Sequence, residues 1–287
     1  MRVAILGFGL IGGSLAHALA AAADRDAWTV AAWSPTGEGA RKAVADGVIE
    51  LAAATPAEAL DGAQLVVLAA PPTATLALVD RLGDGLGAAL VPDAVVTDVA
   101  STKGEIVAAA MERGLRFVGG HPMAGRERSG YSEAAADLFA GRPWVVVPTD
   151  PDDQAAIVTV ETLAVAAGSR PLRMDAAEHD AAVAGISHLP LVVAAALVES
   201  VANDGDWPST RGLAASGWRD MTRLARGDVA MGSGIAATNA PAIAARLHRF
   251  RKAIDGWLAE LERPGGPDEA ALADRLAAAR DRLDDGP

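Results

Sequence analysis

A short apolar run, Val3-Ala4-Ile5-Leu6, leads into Gly7-Phe8-Gly9-Leu10-Ile11-Gly12 and then into a stretch with helical character as far as Ala23. Strand, spaced glycines and helix in direct succession leave few folds open. The first glycine makes a tight turn, and the second lets the backbone approach a pyrophosphate. The third allows close strand–helix packing, while the helix N-terminus aims free amides at the anion. This reading assigns Gly7, Gly9, Leu10, Ile11 and Gly12 to a dinucleotide. A purely structural glycine turn does not explain three glycines in register. Residues 3–23 are also read as the one stretch approaching the ~18 uncharged residues of a spanning helix. Their glycine cluster, with Ser14 and His17, suits a strand–turn–helix better.

To about residue 170 the chain alternates short apolar runs with amphipathic stretches. Residues 3–6, 28–33, 65–69, 94–97, 117–118 and 144–147 read as strands, and residues 10–23, 38–46, 73–82 and 103–113 as helices. Fully apolar strands alternating with helices imply an α/β fold with a doubly wound parallel sheet of Rossmann type. Beyond Arg170 only helical periodicity remains, over residues 175–201, 243–261 and 268–283, with a junction strand at 171–174. The expected organisation is a nucleotide-binding domain over residues 1–170 and an all-helical domain over residues 171–287.

An acid ~20 residues after the glycines would hold the adenosine ribose of NAD. Here Ser34 stands at that place, followed by Pro35 and Thr36. Ser34 and Thr36, with Arg41 or Lys42, are suited to a 2′-phosphate, so the cofactor is NAD or NADP, with NADP or dual use favoured. Past the buried strand at 94–97, Ser101 and Lys103 fall where open α/β sheets bind ligands, although Ser101 or Thr102 also suits a helix cap. His121 sits among Gly119, Gly120, Pro122 and Gly125, a setting that favours an irregular loop and a histidine free for proton transfer. Arg219 and Arg223 share a helix face one turn apart and are suited to clamp carboxylates, with Asp220 placed to orient Arg223. His179 and His188 are about half a turn out of phase on a straight helix. His188 is assigned to the site and His179 to an interdomain or structural contact, unless Gly185 or Pro190 bends the helix.

Taken together these segments resemble the prephenate/arogenate dehydrogenase family of tyrosine biosynthesis, over nearly the whole chain. The resemblance rests on the glycine loop, Asp98 to Lys103, His121-Pro122-Met123-Ala124-Gly125 with Glu127 and Ser129-Gly130, Glu178-His179-Asp180, Ser187-His188-Leu189-Pro190, and Arg219-Asp220-Met221-Thr222-Arg223. It implies a Rossmann domain joined to a helical dimerisation domain, a homodimer, and NAD(P)-dependent oxidative decarboxylation of prephenate or arogenate. It further implies that His121 takes the proton of the ring hydroxyl and that Ser101 bonds His121 or the same hydroxyl. Arg223 would bind a substrate carboxylate, with Glu127 and Asp220 in an ionic network around it. Many members that use prephenate carry a histidine where this chain has Leu191, and often a tryptophan where it has Gly232. The expected consequence is weaker discrimination in favour of the keto acid.

Composition excludes other classes. With no cysteine, thiol nucleophiles and cysteine–metal sites are absent, and a net charge of −12 argues against nucleic-acid binding. The default expectation is a cytoplasmic protein with no membrane partner. Two rivals are a β-hydroxyacid dehydrogenase, which needs a catalytic lysine in the helical domain, and a non-catalytic NAD(P) sensor. The only lysines are Lys42, Lys103 and Lys252.

Overall fold

Strands with no polar face have to be covered on both sides. The structure, a computed structural model, describes residues 1–126 and 128–284. Its sheet comprises β1 (Arg2–Leu6), β2 (Thr29–Trp33), β3 (Leu51–Ala52), β4 (Leu65–Leu68), β5 (Val95–Asp98), β6 (Phe117–Pro122), β7 (Pro143–Pro148) and β8 (Arg170–Arg173). The strand order is β3-β2-β1-β4-β5-β6-β7-β8. Every neighbouring pair is parallel except β6 with β7, which is antiparallel. Val3 and Ile5 pack into one apolar cluster and Ala4 and Leu6 into another, because successive strand side chains point to opposite faces. The helices of this domain are α1 (Leu10–Ala21), α2 (Glu38–Ala45), α3 (Pro56–Leu60), α4 (Pro72–Gly83), α5 (Gly104–Glu112) and α6 (Gln154–Ala166).

Two expectations change here. The segment holding His121 is not an irregular loop. Residues 117–122 form one strand, and His121 is in register with Val145 of β7. The sheet is also not wholly parallel, since β7 runs back along β6.

After β8 the described chain is helical: α7 (Ala176–Val183), α8 (Leu189–Ala202), α9 (Trp207–Thr210), α10 (Ser216–Thr222), α11 (Val229–Thr238), α12 (Ala240–Leu261) and α13 (Glu269–Asp284). A π-helical turn, Ala184–His188, joins α7 to α8. By length and composition Ala176–Ala202 could cross a membrane, with a mean hydropathy of 2.1, which corrects the view that residues 3–23 alone approach this. Yet this run carries buried His179, Asp180 and His188. The core of the helical domain itself is small, with Ala184, Ile235 and Ile243 as its buried centre.

The two domains are sewn together by polar contacts. Thr102 Oγ1 and Thr238 Oγ1 lie 2.7 Å apart in a buried contact, and the Thr238 hydroxyl donates to Gly234 O, so Thr102 is the donor of the pair. Neither Ser101 nor Thr102 caps α5. Asp180 of the helical domain does so, accepting the Lys103 N–H at Oδ1 and the Gly104 N–H at Oδ2, each at 2.8 Å.

Candidate active site

The glycine loop lies at the carboxyl ends of β1 and β4, where the chain order switches direction across the sheet and ligands of such folds bind. Gly7 has φ +101°, and a Cβ there would stand 2.3 Å from the Ala69 carbonyl oxygen, so only glycine lets β1 and β4 end this close together. Gly9 faces the other way. Nothing among the described residues lies within 4 Å of its Cβ position, and the first turn of α1 holds no acidic side chain. Orphan helix amides opening onto free space suit a pyrophosphate. Ser34 is half-buried just past β2, and Arg41 Nη2 donates to Thr36 O at 3.1 Å, which keeps its guanidinium at the turn. Lys42 instead pairs with Asp46 at 3.0 Å.

A cavity of about 490 Å³ runs from Gly9, Leu10 and Ile11 past Ser101 and His121 to Arg223, within the usual range for small-ligand sites. His121 reaches it because β6 presses against the end of β5. Gly120 N donates to Asp98 Oδ1 at 3.1 Å, and a Cβ on Gly120 would stand 2.5 Å from Asp98 O. Beneath the strand, Lys103 and Asp98 form an ion pair with both side chains fully buried. Burial lowers the pKa of Lys103 against the opposing pull of Asp98.

His121 Nδ1 lies 2.8 Å from His179 Nε2, and His179 Nδ1 lies 2.8 Å from Asp180 Oδ1. All three residues are buried. Burial, reinforced by repulsion from His179, Lys103 and His188, holds the His121 pKa well below the ordinary histidine value. Burial alone would raise Asp180, but hydrogen bonds from His179, Gly104 N and Lys103 N outweigh it and keep the carboxyl ionised. The assignment of the two helical-domain histidines therefore changes. His179 bridges the domains as expected and does so by touching His121 itself. His188 is not among the cavity-lining residues; it is buried with Nδ1 3.0 Å from Asn239 Nδ2, its pKa pushed down to about 4 by burial. Interaction with the Ser101 backbone and the Asp180 charge favour the protonated ring, and burial outweighs both. A count at 3.6 residues per turn could not place His179, because the π turn changes the phase between the two histidines. The available signal was the adjacent His179-Asp180 pair on an otherwise apolar run.

Arg223 lines the cavity, whereas Arg219 and Asp220 are exposed and do not. The expected two-arginine helical clamp fails because α10 ends at Thr222 and Arg223 opens a 3-10 turn, Arg223–Arg226. Glu127 lies outside the described residues. Ser101 lines the wall with His121, and no hydrogen bond joins their side chains among the described residues. Arg126 and Arg128 also line the cavity, so its described wall carries three guanidiniums against the single carboxylate of Asp228. A chain of net charge −12 thus keeps a locally cationic mouth for anions.

Comparison with known proteins agrees with this geometry. Residues 18–171 match the prephenate dehydrogenase nucleotide-binding domain, and residues 175–272 match the prephenate dehydrogenase dimerization domain. A prephenate dehydrogenase of Bacillus subtilis is 31% identical over 265 residues, covering 91% of this chain and 68% of the relative. The prephenate dehydrogenase of A. aeolicus, solved with hydroxyphenyl propionate and NAD+, is 27% identical with a TM-score of 0.87, covering 99% of this chain and 98% of that one. The arogenate dehydrogenase of Synechocystis is 30% identical with a TM-score of 0.78, covering 99% of this chain and 100% of that one. With both domains matched in order and nearly the full length aligned, the chain belongs to the prephenate dehydrogenase family.

Proposed function

We propose that this dehydrogenase oxidatively decarboxylates prephenate, arogenate or both. One observation carries the reading: the buried base His121 shares a single cavity with the open glycine loop and the Arg223 guanidinium. A nicotinamide dinucleotide bound along the glycine loop supplies the hydride acceptor. His121 Nε2 takes the proton of the ring hydroxyl as the hydrogen on the same carbon departs as hydride. The bond from the opposite ring carbon to its carboxylate then breaks, carbon dioxide leaves, and its electron pair completes the aromatic ring. His121 returns the proton to the phenolic oxygen. Arg223 holds a substrate carboxylate, and Ser101 offers its hydroxyl on the same wall. The test is a spectrophotometric assay of reduced cofactor, crossing NAD+ and NADP+ with prephenate and arogenate. Reduction with either substrate supports the reading, and no reduction in any combination overturns it.

Leu191 and Gly232 both line the cavity, and a Cβ on Gly232 would stand 3.7 Å from Leu191 Cδ2. This apolar wall supports acceptance of either side chain. A strong preference for prephenate in the same assay would sink the expectation attached to Leu191. Ser34 and the nearby Arg41 support NADP or dual use. Ser34→Asp is expected to raise the KM for NADP+ by about fivefold, since contact repulsion of a 2′-phosphate is worth ~1 kcal/mol in water. An unchanged KM would remove Ser34 from the cofactor site.

A homodimer formed through the helical domain is part of the same reading. Phe250, Ile254, Leu258 and Leu261 recur along one face of α12 and are 36–54% exposed. That spacing makes an apolar stripe. Sedimentation is expected to give twice the chain mass, and Ile254→Arg to shift it towards the single chain. A wild-type monomer would refute the arrangement.

A further inference from the structure

We propose that His179 and Asp180, both carried by the helical domain, are positioning residues that fix His121 in the tautomer whose bare Nε2 faces the cavity. The base would then be complete only when the two domains are in register. The inference rests on the function proposed above for His121.

Donors and acceptors fix the polarity of this chain of groups. An ionised carboxylate only accepts, and Asp180 already receives the Lys103 and Gly104 backbone N–H groups. At 2.8 Å from Asp180 Oδ1, His179 Nδ1 must therefore carry a hydrogen. In a neutral imidazole that leaves His179 Nε2 bare, so across the 2.8 Å contact His121 Nδ1 is the donor. His121 Nε2 is then the free lone pair. The opposite polarity would set two acceptors against each other at Asp180. A second chain holds the frame. The Asp180 carbonyl accepts from Asn239 Nδ2 at 2.9 Å, which fixes the orientation of that amide, and the same nitrogen donates to His188 Nδ1 at 3.0 Å. From α12, Arg246 Nη2 reaches the Ala181 carbonyl at 3.1 Å beside the π turn.

The chain of groups leads away from the cavity and ends at the N-terminus of α5. The groups facing His121 are His179 and Asp180 from α7, His188 from the π turn, and Lys103 with Asp98 beneath β6. Arg126, Arg128 and Arg223 stand at the cavity mouth. With His121⁺ formed, the Asp180 carboxylate polarises His179 towards it, as a fixed dipole does in a preorganised site.

The test is the pH profile of the full chain with whichever substrate it oxidises, for wild type, His179→Leu and His179→Gln. His179→Leu is expected to lower kcat by about a hundredfold, with dinucleotide affinity unchanged. Its acid limb moves away from the wild-type position, because the protonated ring loses the acceptor that holds its Nδ1 hydrogen. His179→Gln is expected to recover about a tenth of the wild-type rate, since its side-chain oxygen can accept from His121 Nδ1. A merely structural histidine would leave the limb in place and show no such recovery, and that outcome overturns the proposal. Nitrogen-15 NMR of the histidine rings in the wild-type protein gives a reading that needs no variant to fold. Hydrogen on His121 Nδ1 supports the assignment, and hydrogen on Nε2 refutes it. If wild type oxidises neither substrate, the proposed function fails while the NMR reading still decides the tautomer.

Discussion

Replacing His121 by Asn lowers kcat by about a thousandfold, within the range for loss of a positioned general base, while dinucleotide binding stays unchanged. The amide can still meet His179 across the domain seam, but it has no lone pair of sufficient basicity at the position of Nε2. The glycine loop is on another strand and does not depend on the ring, so binding separates from turnover. Burial, with the neighbouring His179, Lys103 and His188, holds the wild-type base below the ordinary histidine value. Activity in kcat/KM therefore runs flat through neutral pH and falls only as acid protonates the ring. In the variant that limb disappears. Unaltered turnover would remove His121 from the chemistry and revive a binding-only reading. A lysine-based mechanism is poorly placed to step in. Lys103 is sealed against Asp98, Lys42 pairs with Asp46, and Lys252 is exposed on α12.

The parts of this site that were legible in the sequence are those set by local chemistry. The glycine loop could be read because a strand end, a turn and a helix start all act within six residues. The buried strands could be read because parallel strands have no polar face to hide. β3, with two residues, carries no periodicity at all. The strand carrying His121 was masked by Gly119, Gly120 and Pro122, which locally look like loop residues. The glycines are there because β6 must press against the Asp98 backbone, a tertiary demand. The antiparallel return of β7 depends on a connection whose path no local pattern specifies. Arg223 lines the cavity, whereas Arg219 does not, because α10 gives way to a 3-10 turn at Arg223. His188 was assigned to the site because a regular helical count takes no account of the π turn at Ala184–His188, which shifts its phase relative to His179. Irregular turns thus cluster where the helical domain meets the base, a common location for functional strain.

Substituting Asp98 by Asn is expected to cost about 3–5 kcal/mol of stability, the usual penalty for stranding one partner of a buried ion pair. Both Asp98 and Lys103 are 0% exposed, so water cannot take over. Asp98 also accepts from Ala100 N at 2.9 Å and from Gly120 N, so the new amide hydrogens would face existing donors. Lys103→Met should cost less, roughly 1–3 kcal/mol, because the carboxylate keeps both backbone donors and the apolar chain fills the space. The double variant should lose less stability than the sum of the two single losses, since it leaves no lone buried charge. Urea unfolding followed by tryptophan fluorescence measures all three. The pH dependence has a definite sign. Without Asp98 the buried Lys103 amine loses a group that favours its charge, so the folded state binds the proton less readily than the unfolded one. The unfolded state therefore holds more protons between the two pKa values, and stability of Asp98→Asn rises with pH across that window. A melting profile equal to wild type, or stability falling as pH rises, would show that the pair is not the anchor described. Because Gly120 N is tied to Asp98, the same substitution also loosens the strand that holds His121 against the cavity. Loss of kcat should accompany loss of stability in Asp98→Asn and be milder in Lys103→Met, where that tie remains.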